Sequence, residues 1–249
     1  MHRFFIPKEQ ISENKITITG SDVNHIKNVL RLKAGDKIEV FDGFQNTYSC
    51  KIIDITPAAV KADILKEEKK DIESNLKITL AQCLAKGKKM DLIIKMATEL
   101  GVYRIIPIIS ERSIPKIEEK EEKKIEHWQT IAKEAAEQSG RSVVPEIFPL
   151  TKIKDLNPSD RASGRGPKTY DLAIMPWEGE TKQSLKSALT TYHPNSLIIL
   201  IGPEGGFSHT EAEKAKEAGF NLVSLGKRIL RCETAAVSTL AKIFYELEK

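Results

Sequence analysis

A glycine-rich loop follows a run of apolar residues toward the carboxyl-terminal end of the chain. Residues 197–201 are five consecutive aliphatic residues, which predict a strand buried on both faces. The loop at 202–206 then contains three glycines and a proline. Ser208 and Glu211 have the spacing of a capping box at the start of a helix. Open α/β sheets bind ligands at such loops, where buried strands reach their carboxyl ends.

The composition of this loop limits the ligands that it could bind. It lacks the Lys-Ser/Thr pair of a P-loop, and its glycines do not match the dinucleotide fingerprint. It also carries Glu204, which would repel a phosphate group. We therefore expect a ligand with a nucleoside but no phosphate. The alternative is a tight strand-to-helix turn that binds nothing.

A second segment repeats this order of elements. Residues 222–225 form a short apolar run that ends at Gly226, and a basic loop at 227–231 leads into a helix. Five residues are predicted to form the apolar face of that helix, namely Val237, Leu240, Ala241, Phe244 and Leu247. Two glycine-bearing loops at the ends of two buried strands can line one pocket. Cys232, inside the second segment, fits packing better than a nucleophile.

These two segments carry motifs that identify a resemblance. Residues 200–208 (LIGPEGGFS) and 225–235 (LGKRILRCETA) closely resemble the RsmE family, the 16S ribosomal RNA uridine-N3 methyltransferases of the SPOUT superfamily. Further similar blocks span nearly the whole chain in the family's order, at 1–5, 25–36, 86–91, 97–102, 110–113 and 134–141. The main departure is the polar stretch 157–168, which is longer than the family needs.

The resemblance implies an α/β fold, with a carboxyl-terminal SPOUT domain containing a trefoil knot after a small PUA-like β-barrel. The residues themselves divide the chain near position 70. Short strands at close spacing before it are typical of a small barrel, and alternating strands and helices after it predict a mostly parallel sheet. We therefore predict an RNA-binding domain at 1–72 and a methyltransferase domain at 73–249. Periodicity cannot show a knot.

The family binds S-adenosyl-L-methionine among its knotted loops and forms a homodimer at the knot. Carried over residue by residue, the resemblance implies three pocket loops. The loops span 175–178, 201–206 and 225–235. The residues expected to bind the cofactor are Met175, Pro176, Trp177, Ile201, Gly202, Pro203, Gly205, Gly206, Leu225, Gly226, Ile229, Leu230, Thr234 and Ala235. Glycine lets the backbone approach adenine and ribose closely. Core packing is the alternative role for Trp177.

The implied reaction is methyl transfer to N3 of a uracil, whose N3–H must lose its proton before N3 can attack. Arg231 is our candidate for stabilising the uracil anion, and Glu204 and Glu233 are candidate bases. A structural ion pair is the alternative for Arg231. Glu233 could instead stabilise the helix dipole.

RNA binding requires phosphate contacts, for which the chain offers many cations. The candidates are Arg3, Lys27, Arg31, Lys33, Lys86, Lys88, Lys89, Arg112 and Arg141. The net charge is +4, and the first 70 residues hold 12 Lys and Arg against 10 Asp and Glu. Bulk charge therefore does not identify an RNA-binding surface.

Composition narrows the remaining possibilities. No apolar run approaches the roughly 18 residues of a membrane span, and the amino terminus has no secretory apolar core. The three cysteines lack metal-ligand spacing, so we expect reduced thiols, no metal and a cytoplasmic location. Two alternatives remain open: a non-catalytic RNA-binding or assembly protein, and a SPOUT methyltransferase with another RNA target. The glycine loop with Arg231, Glu233 and Thr234 favours the enzyme.

Overall fold

The computed structural model describes residues 1–112, 121–156, 158 and 170–248. Most of the polar stretch 157–168 therefore lies outside the described residues. The chain divides into two compact units, one formed by Met1–Glu73 with Ala136–Val144 and the other by Ser74–Ala135 with Pro145–Lys249. The sequence did not indicate the return of 136–144 to the first unit. The predicted functional boundary between residues 72 and 73 stays a prediction.

The first unit is built on a five-stranded sheet. Its elements are β1 (His2–Phe5), β2 (Lys15–Thr19), α1 (Ser21–Asn24), β3 (Lys37–Phe41), β4 (Asn46–Ile55) and β5 (Ala59–Lys69). The strand order is β1-β3-β4-β5-β2, in which β1 is parallel to β3 and the other pairs are antiparallel. After α1 the chain makes one wider helical turn, His25–Val29.

Alternating apolar residues explain how this sheet encloses its core. Ile16 and Ile18 in β2, and Ile38 and Val40 in β3, are fully buried, whereas the residues between them are not. This alternation places one face of each strand inward. All five strands contribute to one apolar cluster, so the sheet curls around a common core. Ser21 does not cap α1, because the N-cap residue is Gly20.

A buried ion pair fixes 136–144 within the first unit. Nη2 of Arg141 lies 2.7 Å from Oε2 of Glu73, and both side chains are 8% exposed. Oε1 of Glu73 also accepts hydrogen bonds from the backbone amides of Ser142, at 2.8 Å, and Val143, at 3.1 Å. Arg3 donates in turn to the backbone carbonyl of Arg141. The Glu73 carboxylate thus holds the segment 136–144 within the first unit.

The second unit alternates strands and helices, as predicted. Its strands are β6 (Lys77–Cys83), β7 (Arg104–Ile109), β8 (Glu146–Ile147), β9 (Thr151–Lys152), β10 (Leu172–Pro176), β11 (Ser196–Ile201) and β12 (Asn221–Val223). Its helices are α2 (Lys89–Glu99), α3 (Glu121–Ser139), α4 (Leu185–Tyr192), α5 (His209–Glu217) and α6 (Cys232–Leu247). The sheet order is β12-β10-β11-β6-β7-β8, with β9 also paired to β7, and every pair is parallel.

Helices cover both faces of this sheet. Ile198 and Leu200 of β11 pack in one cluster with Ala212 and Ala215 of α5. Alternate residues of a strand point to opposite faces, so Ile199 faces the other side. Helix α6 contacts both α2 and α4, which places these three helices together. The trefoil knot stays a prediction. Among the described residues, no helix is long and apolar enough to cross a membrane.

The buried face of α6 differs from the predicted one. It consists of Cys232, Ala236, Thr239, Leu240, Ile243 and Phe244. Ala241, which we had assigned to the apolar face, is exposed, and Val237 and Leu247 are only half-buried. The helical period of 3.6 residues explains the shift, because Ala236 and Ile243 lie on the stripe of Leu240.

The capping box that opens α5 is confirmed. The hydroxyl of Ser208 accepts from the Glu211 amide at 3.1 Å, and the Glu211 carboxylate accepts from the Ser208 amide at 2.9 Å. Past the end of the helix, Gly219 has φ of +100°, which glycine adopts readily.

We predict that Glu73→Gln destabilises the protein by about 3 kcal/mol, because it removes the carboxylate charge that faces the buried Arg141 guanidinium. The free energy of unfolding in urea measures this. Glu68→Gln is the matched control, because its ion pair with Lys66 is exposed and should leave the midpoint unchanged. Equal midpoints for the two variants would contradict a stabilising role for the buried pair.

Candidate functional site

The carboxyl ends of three parallel strands meet at one edge of the second unit's sheet. The loops after β10, β11 and β12 therefore emerge together. A cavity of about 120 Å³ lies at this edge. Its lining includes seven of the predicted cofactor residues: Pro176, Trp177, Leu225, Gly226, Ile229, Leu230 and Ala235. The segment 225–235 forms most of the cavity lining, the loop after β10 forms most of the rest, and the segment 200–208 contributes none of it.

Four further residues line this cavity, namely Glu178, Ser224, Lys227 and Arg228. Three of them lie inside the predicted pocket loops: Glu178 ends the first loop, and Lys227 and Arg228 lie in the third. The prediction missed Ser224, which lies one residue before the third loop.

The other predicted cofactor residues do not line the cavity. Met175, Ile201 and Pro203 are buried, and Thr234 is exposed in the first turn of α6. The remaining three are Gly202, Gly205 and Gly206. A Cβ on Gly202 would lie 3.0 Å from the Phe207 ring, so packing against that ring requires a glycine there.

Trp177 has both of the roles considered for it. Its indole is half-buried against the apolar cluster under α5, and it also lines the cavity. The His209 imidazole stacks on the indole with ring centroids 5.5 Å apart and an interplanar angle of 13°. A Cβ on Gly179 would lie 2.4 Å from the same indole. The ring is therefore fixed on several sides.

The loop after β11 is held by its neighbours. The Glu204 carboxylate accepts from the Lys86 amide and the Lys89 ammonium, both at 2.9 Å, and Arg112 donates to the Gly205 carbonyl at 2.7 Å. Burial raises the pKa of Glu204, but hydrogen bonds from Lys89 and the Lys86 amide outweigh it, so the pKa is lowered overall. A carboxylate with a lowered pKa is a weaker base, so this geometry favours a role in positioning the loop.

The amino terminus of α6 holds the other candidate catalytic residues. Arg231 is its exposed N-cap residue and does not line the cavity. The pKa of Glu233 is lowered, first by its own backbone amide and then by a hydrogen bond from the Cys232 thiol. This corresponds to a charge that stabilises the start of a helix. Burial is the main cause that raises the pKa of Cys232 to about 12, which fits packing rather than nucleophilic chemistry.

The predicted RNA-binding cations fall into two groups. Lys27, Arg31, Lys33, Lys86, Lys88 and Arg112 are exposed, and Lys89 is paired with Glu204. The burial of Arg3 and Arg141 argues against their predicted role as phosphate contacts. Arg3 pairs with Glu39 at 2.6 Å, and both arginine side chains are less than 10% exposed. Because their guanidinium groups are used inside the first unit, we withdraw both as phosphate contacts. No metal-binding group of His, Cys, Asp and Glu side chains occurs in the described part of the chain.

Comparison with known protein families identifies the family of this chain. The model of the RNA methyltransferase domain matches residues 72–244, and that of the RNA methyltransferase PUA domain matches 18–65. The chain belongs to the RNA methyltransferase family. This confirms the family predicted from the motifs, and the PUA match agrees with the curled sheet of the first unit.

Full-length relatives of this methyltransferase support the same assignment. Ribosomal RNA small subunit methyltransferase E of Bacillus subtilis (strain 168) is 36% identical, with 100% of this chain and 98% of that protein covered. The protein of the same name from Mesomycoplasma hyopneumoniae (strain 232) is 35% identical, with 97% and 98% covered.

Two solved structures of similar methyltransferases contain a cofactor. Ribosomal RNA small subunit methyltransferase E from Neisseria gonorrhoeae, bound to S-adenosyl methionine, has a TM-score of 0.81 and 32% identity, covering 99% of this chain and 98% of that one. A methyltransferase from Legionella pneumophila, in complex with the same cofactor, has a TM-score of 0.83 and 30% identity, covering 98% and 97%. The predicted α/β fold is thereby confirmed.

Proposed function

We propose that the protein is an S-adenosylmethionine-dependent methyltransferase that methylates N3 of a specific uridine in the 16S ribosomal RNA of the small subunit. Relatives that cover nearly the whole chain and are named for methylation of small-subunit ribosomal RNA support this. The observation that carries it is the cavity at the carboxyl edge of the sheet, formed by residues of the family's motifs. The division into an RNA-binding domain at 1–72 and a catalytic domain at 73–249 is part of the proposal.

The residues that line the cavity suit the chemistry of the cofactor. Leu225, Leu230 and Ala235 supply apolar surface for an adenine ring, and Ser224 adds a hydroxyl. No atom lies within 4 Å of the Cβ position of Gly226, so there is open space beside its backbone. When bound, S-adenosylmethionine supplies an electrophilic methyl group on a sulfonium. Trp177, which stacks on His209, lines the cavity on the side of β10.

The chain's own residues must promote loss of the N3 proton and stabilise the resulting charge. Arg231 cannot act as a base at neutral pH, but its guanidinium can stabilise a uracil anion. The first backbone amides of α6 would also stabilise an anion, because a helix amino terminus carries partial positive charge. Glu204 and Glu233 have lowered pKa values, so we assign them to positioning the loop and the helix start.

Two other proposals from the sequence concern the contacts with RNA and the cellular location. The exposed cations Lys27, Arg31 and Lys33 in the first unit, and Lys86, Lys88 and Arg112 in the second, are the phosphate contacts that we retain. Since the substrate is ribosomal RNA, we infer a cytoplasmic location. A non-catalytic assembly protein would have no need for the cavity, and another RNA target stays the main alternative.

We also infer a homodimer, as the family resemblance implies. Leu240 and Phe244 of α6 are buried within the chain at 0% and 6% exposure, so they cannot contact a second copy. Ile229 and Tyr245 are 86% and 90% exposed. Tyr245 also lines a groove of about 430 Å³, together with Leu185 and Leu189 of α4. This apolar surface is our candidate for the contact.

Methyl transfer is tested on small subunits from cells that lack this modification. The parent protein with S-adenosylmethionine should produce N3-methyluridine at one position, as mass mapping of the RNA would show. Ala235→Leu should lower cofactor affinity at least about tenfold, because three added carbons occupy a cavity of about 120 Å³. Ala241→Leu, on the exposed side of the same helix, is the matched control. Equal binding by Ala235→Leu and the parent would rule this cavity out.

Arg231→Ala should reduce turnover about 10²–10³-fold while leaving cofactor affinity near that of the parent, as expected for loss of one preorganised charge-stabilising donor. Single-turnover kinetics on the same subunits measure this, with the melting temperature recorded alongside. Lowered stability with near-parent turnover in the folded fraction would instead assign Arg231 to a structural ion pair.

Sedimentation equilibrium at micromolar concentration should show a species of twice 27.9 kDa. Tyr245→Glu should shift the population to the monomer, because it places a charge on the apolar surface. Lys216→Glu, an exposed charge change on α5 that lies outside the groove, serves as a control for electrostatics alone. A monomeric parent protein would refute the dimer.

A further inference from the structure

One carboxylate at the cofactor cavity has no role in the reaction as described so far. Glu178 is the second residue after β10, is exposed, and lines the cavity. A Cβ on Gly206 would lie 2.6 Å from Oε1 of Glu178 and 3.3 Å from its Oε2. The carboxylate therefore rests against the Gly206 backbone, where φ is +64°. Among the described residues, it forms no hydrogen bond or ion pair.

The charges around the cavity make this carboxylate significant. Lys227 and Arg228 are the other charged residues of the lining. S-adenosylmethionine carries a positive sulfonium in addition to an α-ammonium and an α-carboxylate, so its net charge is positive. Without Glu178, a cationic ligand would enter a cavity with two cations and no anion. Coulomb repulsion would then oppose its binding.

We propose that Glu178 is a specificity-determining residue that recognises the sulfonium of S-adenosylmethionine and makes the cavity prefer this cofactor over its demethylated product, S-adenosylhomocysteine. The inference rests on the proposed function. During transfer the bond between sulfur and methyl breaks, and its electron pair stays on sulfur. Sulfur becomes a neutral thioether, so the attraction to Glu178 is lost after chemistry and product release is favoured.

The test compares ligands that differ in their charge at the sulfonium position. Isothermal titration calorimetry compares S-adenosylmethionine, S-adenosylhomocysteine and sinefungin, in which an amine replaces the methylated sulfur. Glu178→Gln should weaken binding of the two cationic ligands about three- to tenfold, and binding of S-adenosylhomocysteine less than about twofold. Glu213→Gln removes the same charge from the exposed side of α5 and should change none of the three affinities.

A second variant tests the position of the carboxylate without removing it. Gly206→Ala would place a methyl group where the Glu178 carboxylate lies, so it should reproduce the selective loss. Its melting temperature checks that the backbone at positive φ is retained. In the parent protein, the preference for the cationic ligands should also decline as salt rises, since exposed charges are screened.

Each other result overturns the inference. Equal weakening of all three ligands by Glu178→Gln would place its contact on the ribose or the methionine tail, which they share. Unchanged affinities would make Glu178 a solvated surface residue. Failure of the parent protein to bind any of the three would refute the proposed function itself, not only the role of Glu178.

Discussion

The parallel pairing of three short strands is the constraint on which the candidate site depends. Leu172 of β10 pairs with Leu197 of β11, and Met175 of β10 pairs with Leu222 of β12. With all three strands running in one direction, the chain leaves the sheet three times at the same edge. A slip of one residue would exchange the faces of a strand and expose side chains that are now fully buried. Burial of these apolar side chains therefore fixes the register of the strands, and the register fixes the residues at which the functional loops begin.

Electrostatic contacts then hold these loops in place. The two carboxylates of Glu204 and Glu211 each reach outside their own loop, to Lys86 and Lys89 in one case and to the Glu111 amide at 3.0 Å in the other. Glycines make room for side chains of neighbouring loops, as Gly206 does for Glu178. Rigidity at this edge comes from contacts between loops that follow different strands. That arrangement is what a preorganised site requires.

The sequence predicted the local elements better than the long-range contacts. The strand at β11, the capping box of Ser208 and the parallel sheet followed from hydrophobic period and capping chemistry, which are local signals. The burial of Arg3 and Arg141 did not, because their partners Glu39 and Glu73 lie 36 and 68 residues away. The family resemblance placed Glu178 in a pocket loop but did not indicate its role, because a single exposed carboxylate after a strand has no distinctive spacing. Side-chain roles that depend on distant neighbours need the folded coordinates.

The discontinuous first unit has a consequence for how the chain matures on the ribosome. Domains generally fold as units during synthesis, the amino-terminal one first. Here the unit that contains the amino terminus is incomplete until 136–144 has emerged, because in the described part of the chain the partners of the Glu73 carboxylate lie in that segment. Translation must therefore pass through β6, α2, β7 and most of α3 before the first unit can close. During that interval the nascent chain contains all five strands of the amino-terminal sheet but lacks 136–144, so both units complete their folding late.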